Sequence, residues 1–252
     1  MSKKFNVHPA VMAVWAAVVA SGYLIPTFPI LGGGSFSFAN ILNPLSGILF
    51  GPIIGALCSA VGGFIGSIIA PHTAWIGFGT FIPGTVTAFV TGCIAWGKWP
   101  PVSIREDGNF VFNGAIIVYI IGTILWFTQE IGRNVILYPV IVYGSGFIIA
   151  ITAILFARQM YKTKERIFNF IALWLFAYGG LIAGATIGNF FSLVIRKTPA
   201  DIWVGLIIIS PIERMIFALG AALVGVPLLA GLRKIGIKAG LQIEDDEINN
   251  ES

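Results

Sequence analysis

The sequence predicts an all-α fold: a polytopic membrane helical bundle of about six to eight transmembrane segments, with both termini cytoplasmic. Three observations carry that expectation. Hydrophobic residues make up 57% of the 252 and charged residues only 10%, against roughly 25% charged residues in soluble domains. Mean hydropathy is +0.91. Apolar runs also recur along the chain with proline, glycine or charge between them, and about 20 apolar residues suffice to cross roughly 30 Å of hydrocarbon.

The first segment spans about Pro9 to Ile25 and ends where Pro26 and Pro29 remove helix donors. A glycine-rich loop, LGGGSFSFAN, follows. The next stretch, ILNPLSGILF at 41 to 50, is too short to cross, since ten residues at 1.5 Å rise cover about 15 Å. It is expected to be a short helix shielded by its neighbours, because irregular backbone is not tolerated against lipid.

Residues 51 to 70 are long enough to span, PHTAW closes them, and a fourth segment runs from Ile76 to Trp96. A polar turn, KWPPVSIREDGN, separates it from apolar runs at about 111 to 128, 135 to 157, 167 to 195 and 211 to 232, with IWVGLIIIS at 202 to 210 ambiguous. Residues 1 to 235 are thus one transmembrane domain. The remainder, 236 to 252, is acidic, polar and without apolar periodicity, which predicts a disordered cytoplasmic tail.

Orientation follows from the basic residues. With the N-terminus inside and the short second helix returning the chain inward, Lys3, Lys4, Lys98, Arg105, Arg158, Lys162, Lys164, Arg166, Arg233, Lys234 and Lys238 fall inside, and Arg133, Arg196, Lys197 and Arg214 outside. That excess satisfies the positive-inside rule. It also explains the net charge of +4 without nucleic acid, which is not an expected partner. Cys58 and Cys93 lie inside apolar runs with no ligand-like spacing, so neither a disulfide framework nor a metal site is expected.

Small residues mark close-approach surfaces. On a helix, Ala10, Ala13, Ala17 and Ala20 step by three or four and share a face, with Ala16 and Ser21 at its margins. In a bilayer such a smooth face lets another helix come near, either within the chain or from a partner. Two further ladders, Gly47-Gly51-Gly55-Ser59-Gly63-Ser67 and Gly180-Gly184-Gly188, suit internal packing, and Pro52 divides the first between two helices meeting at FGP.

These residues carry a resemblance. The alanine-rich first helix, the outer loop, and FSFANILNPLSGILFGPIIGALCSAVGGFIG resemble the substrate-binding S component of energy-coupling factor (ECF) vitamin transporters, over about residues 9 to 97. SPIERMIFALGAALVGVPLLAGLRK resembles that family's closing helix more weakly. The resemblance implies a high-affinity capture subunit of an ATP-driven importer of a vitamin or similar small molecule. Its implied partners are a transmembrane scaffold subunit, docked on Ala13, Ala16, Ala17 and Ala20, and ATPase subunits. It further implies a pocket in the outer half, with Gly33, Gly34, Ser35, Phe36 and Asn40 as lid and pocket residues. The family has six spans, whereas this chain has two additional apolar runs between 111 and 158.

Residue chemistry adds further binding candidates. Glu130 and Arg133 lie one turn apart, with Trp126 a turn inward on the same predicted face, where they either grip a polar ligand or pair with each other. Glu213 and Arg214 follow Pro211 at the expected start of the last helix, where one faces the pocket or the carboxylate simply complements the helix dipole. Asn189, beside Phe190 and Phe191, offers a hydrogen-bonding group or core packing. Trp75 is either an interfacial anchor or a ligand contact, and neighbouring His72 suits a solvated turn.

The nearest approach to a nucleotide site, Gly92 to Lys98, places Trp99 where a serine or threonine must hold magnesium. Energy for uptake would therefore come from partner subunits. The alternative is a self-sufficient carrier or channel coupled to an ion gradient, though no internal repeat of the kind such carriers show is visible. No nucleophile, base and orienter set can be read, so neither enzymatic activity nor a cofactor is expected.

Overall fold

The computed structural model describes residues 8–29, 35–96, 114–162 and 166–234. Gly33, Gly34, the 98–109 turn and the acidic tail lie outside the described residues. Within them the chain is all-α apart from one small hairpin: α1 (Pro9–Tyr23), β1 (Pro26–Pro29), β2 (Ser35–Ser37), α2 (Ala39–Ile69), α3 (Phe81–Trp96), α4 (Gly114–Thr128), α5 (Glu130–Asn134), α6 (Gly144–Lys162), α7 (Arg166–Phe191) and α8 (Ala200–Lys234).

Helix α1 starts where its sequence predicts. His8 accepts from the Ala10 amide through Nδ1 at 3.2 Å, and Pro9 occupies the first turn, where its missing N–H costs nothing. The stretch expected to be a glycine-rich loop is, where described, an antiparallel pair, with Pro26 opposite Ser37 and Pro29 opposite Ser35. Apolar periodicity could not reveal it, because three- and four-residue strands rich in proline and serine carry too little pattern.

Helix α2 is not a single rod. Gly51 has φ 79° and ψ 179°, a conformation open to glycine for want of a β-carbon, and Pro52 follows it. The two arms, residues 39–50 and 52–69, fold back on each other so closely that a β-carbon on Gly55 would strike the backbone of Ser46 and Gly47. The expected short helix returning at FGP is this first arm.

The glycine ladders are packing surfaces within the chain. Gly47 meets Ala88 and Gly92 of α3, Gly63 meets Phe81 of α3 and Tyr23 of α1, and Gly180 and Gly184 meet Thr91, Thr87 and Pro83 of α3; Gly62, beside the ladder, meets Ala16 and Val19 of α1. Gly92, the first residue of the phosphate-loop look-alike, lies inside α3 against Gly51 and Pro52. Indole and phenol groups close the helix contacts: Trp15 donates to Ser46 Oγ at 2.7 Å, Trp96 to the Ile48 carbonyl at 3.0 Å, and Tyr119 to the Gly179 carbonyl at 2.7 Å. Both cysteines are buried and outside any disulfide.

One boundary requires correction. The last helix does not begin at Pro211: α8 runs unbroken from Ala200 and contains both Pro211 and Pro227. The ambiguous 202–210 piece is therefore its first third. Glu213 is interior to the helix, and the acid in the first turn is Asp201, so the dipole argument applies to Asp201 instead. Proline interrupts only the local donor pattern, and surrounding groups can resatisfy the freed carbonyl in membrane helices.

Among the described residues three helical stretches are long and apolar enough to cross a membrane, Ala39–Ile69, Ile167–Arg196 and Ala200–Leu232, although the kink at Gly51 divides the first. Shorter apolar helices accompany them at Pro9–Tyr23, Phe81–Trp96, Gly114–Thr128 and Pro139–Ile154. Ile208, Ile148 and Val14 are 71%, 66% and 65% exposed, an apolar exterior of the kind that lipid solvates. Beneath it a core of α3, α4, α6, α7 and α8 centres on Phe176, Tyr178, Ile182 and Phe217.

Candidate functional site

The β-hairpin is pinned to α8 by aromatic edges. Phe28 and Phe36 each meet Phe217 in T-shaped contacts, at 5.4 and 5.8 Å between centroids, and the Arg214 guanidinium lies over Phe36 at 4.5 Å. Edge-on rings suit the aromatic quadrupole, and the cation over the ring adds about 0.5–2 kcal/mol depending on its desolvation. Phe38 continues the attachment by donating its amide to the Ile25 carbonyl at 2.9 Å.

Beside this hairpin lie two small cavities, of about 50 Å³ each. Both are lined by Phe36, Trp75, Asn189 and Arg214, which makes them adjoining parts of one site. The first is walled by Ser35 and Ser37 of the hairpin, Asn40 and Asn43 of α2, Thr80 before α3, Thr87 within it, and Gly184 and Gly188 of α7. The second is walled by Tyr138, Ser210, Trp203 and Glu213. The first cavity sets aromatic and aliphatic surface beside serine, threonine, asparagine and arginine side chains, and small-molecule sites likewise combine apolar surface with placed polar groups.

The polar groups are held by identifiable bonds. Asn40 Nδ2 donates to the Ser37 carbonyl at 3.1 Å, tying the start of α2 to the hairpin. Asn43 Oδ1 accepts from Ser59 Oγ at 2.8 Å across the two arms of α2. Asn189 Nδ2 donates to Tyr138 Oη at 2.9 Å and to Tyr143 Oη at 3.2 Å, which leaves its carbonyl oxygen as the acceptor for a ligand donor. Tyr138 Oη in turn meets Ser210 Oγ at 3.3 Å.

Charge is sparse. Arg214 is the one charged residue among those lining the first cavity, and its Nη1 is buried without a hydrogen bond. Glu213 borders the second cavity alone, as expected for a neighbour projecting about 100° away on the helix. A buried guanidinium donor without an acceptor carries a desolvation cost of about 1–3 kcal/mol or more.

Of the residues singled out in the sequence, Ser35, Phe36, Asn40, Trp75, Asn189, Glu213 and Arg214 line these cavities. Trp126, Glu130 and Arg133 line neither. The continuous face expected for them is broken at Gln129, which takes an extended conformation (φ −92°, ψ 140°) between α4 and α5. Glu130 and Arg133 are consequently exposed. Trp126 is fully buried, donates to the Gly132 carbonyl at 2.8 Å, and stacks on Tyr138 at 5.0 Å. His72 is exposed in its turn and does not line the site.

Sequence reasoning missed Asn43, Thr80, Thr87, Tyr138, Ser210 and Trp203. Trp203 meets Trp126 edge-on at 4.9 Å and Tyr138 at 5.0 Å, forming an aromatic floor drawn from three distant segments. A lone Asn, Thr or Tyr inside an apolar run gives a sequence signal for burial but not for which neighbours it meets. Among the described residues no group of three or more His, Cys, Asp or Glu side chains could hold a metal ion.

The alanine stripe divides. Ala16 and Ala20 are buried against α2, whereas Ala10, Ala13 and Ala17 are exposed with Val14 and Val18. The smooth face expected to be single is thus two flanks, one closed by the chain itself and one open.

The chain is similar to an uncharacterized protein of Methanocaldococcus jannaschii, with 23% identity over 181 residues, 69% of this chain and 54% of the relative. It spans about half the length of that curated relative. No protein-family model matches the chain. No solved structure matches it.

Proposed function

We propose that this chain is a multi-pass protein of the cell membrane that captures a vitamin or similar small molecule and delivers it to an ATP-driven importer of the ECF type. The observation that carries the reading is the pairing of two surfaces on one chain. A hairpin-roofed cavity lined by aromatic surface and hydrogen-bonding side chains suits capture of a solute. The open Ala13 and Ala17 flank of α1 suits close approach by a helix of a scaffold subunit. ATPase subunits would complete the machine, and lipid would surround the isoleucine-rich exterior.

Purification in mild detergent from the native host tests the assembly. The capture reading expects a transmembrane scaffold protein and ATPase subunits to co-purify, and uptake in whole cells to depend on ATP. A protein that always purifies alone and transports on an imposed ion gradient in liposomes without ATPases would establish the self-sufficient carrier instead.

A further inference from the structure

Arg214 presents a buried donor without an acceptor to a cavity whose other lining residues are neutral. Its Nη1 is buried and donates to no partner, its guanidinium is held over Phe36 at 4.5 Å, and no carboxylate shares the lining of the first cavity. Glu213 lies on the second cavity alone. Around the first cavity Ser35, Asn40 and Asn43 supply hydroxyl and amide groups, while Thr73, Thr80 and Thr87 donate their hydroxyl protons to backbone carbonyls; the Ser35 hydroxyl can turn to donate to an anion. A buried charge is ordinarily paired, and a guanidinium presents planar donors matched to carboxylate or phosphate oxygens.

From this arrangement we infer that the solute carries a carboxylate or phosphate group, which sits in the first cavity and accepts from Arg214 Nη1. The inference rests on the capture reading for its solute and deepens it by assigning the solute's charge. Asn189, with its amide protons committed to Tyr138 and Tyr143, turns a carbonyl oxygen to the ligand's uncharged portion. Trp75 and Phe36 border both cavities and present apolar surface between the anionic end and the second chamber.

The test uses the full chain purified in neutral detergent and follows thermal unfolding with four probes: benzoate, phenyl phosphate, and their neutral and cationic counterparts, benzamide and benzylamine. Benzoate or phenyl phosphate should raise Tm in a saturable manner, while benzamide and benzylamine leave it unchanged. Arg214→Gln should abolish the shift, and Arg214→Lys should weaken the apparent affinity by about tenfold or more, as expected for loss of a charged hydrogen bond. Glu130→Gln, exposed and lining neither cavity, should preserve it. Equal stabilisation by benzamide or benzylamine, an undiminished anion effect in Arg214→Gln, or no anion effect on the wild type at tens of millimolar would overturn the inference.

Should Arg214→Gln fail to fold, the four-probe comparison on the wild type still decides the matter. A second arm separates the sources of the anion. In nanodiscs of phosphatidylcholine the benzoate effect should persist; if phosphatidylglycerol nanodiscs abolish it through Arg214, the site holds a lipid headgroup and the solute assignment is wrong. Failure here leaves the importer reading standing if scaffold and ATPase subunits still co-purify, whereas anion binding by a protein that is always alone would remove the importer and keep the anion site.

Discussion

Arg214 of α8 and Phe36 of the β-hairpin are joined face to cation at 4.5 Å, and both border the two cavities. That contact makes the roof of the site part of its charge. Phe36→Leu keeps most of the apolar volume and removes the ring face, so the cation loses about 0.5–2 kcal/mol of interaction. Affinity for an anionic probe is expected to fall several-fold with only a small change in Tm, which a binding isotherm and a melting curve on the same sample would establish.

The divided alanine stripe separates assembly from folding. Tryptophan at Ala13 or Ala17, which are exposed, should abolish uptake while ligand binding and Tm stay near wild type. Tryptophan at Ala16 or Ala20, buried against α2, should instead destabilise the protein by about 1–3 kcal/mol or more through overpacking. Uptake that survives both Ala13→Trp and Ala17→Trp removes the docking flank from consideration.

Gly51 and Gly55 hold the hairpin of α2 in different ways. Gly51→Ala puts a β-carbon at φ 79° and should cost about 1–2 kcal/mol, the penalty of a left-handed backbone. Gly55→Val must push apart arms already in contact with Ser46 and Gly47 backbone, and should be the more damaging of the two. Unfolding in mixed micelles on SDS titration would rank them, and the reverse order would show the arms to be less tightly packed than described.

Tyr138 connects the polar and aromatic parts of the site, through Asn189 and Ser210 on one side and Trp126 and Trp203 on the other. Tyr138→Phe leaves the rings in place but strips the hydroxyl, at a cost of about 1–3 kcal/mol for the donors and acceptors left unmatched. Its indole emission should shift only slightly, while affinity for a solute contacting Asn189 falls. A large emission shift with unchanged affinity would contradict this division.

Glu130→Gln and Arg133→Gln provide the complementary control. Both residues are exposed and line neither cavity, so stability should remain within about 0.5 kcal/mol of wild type and probe binding should not change. Loss of binding in either variant would relocate the site to the α4–α5 end.

How far the site was legible depended on how local its causes are. Ser35, Phe36 and Asn40 could be named through the resemblance carried by the stretch that holds them, and Arg214 and Glu213 because charge inside an apolar run is conspicuous at the cost of burial. Trp126, Glu130 and Arg133 misled because their spacing presupposed a helix that Gln129 interrupts. Gln129 itself is an ordinary helix residue and does not mark the break, across which Trp126 donates to the Gly132 carbonyl and stacks on Tyr138.

The sequence by itself determined the all-α class, the apolar exterior, the return of the chain at Gly51-Pro52 and the internal use of the glycine ladders. Each of these follows from residue type and spacing along one helix: hydropathy, the freedom of glycine, and the absent donor of proline. Tertiary structure alone decided that α8 runs through Pro211, that the alanine face divides into a closed and an open flank, and that Arg214 stands over Phe36 beside Asn189. Those outcomes depend on which faces meet across segments far apart in the chain, and the energy of a contact between helices is written in neither helix alone.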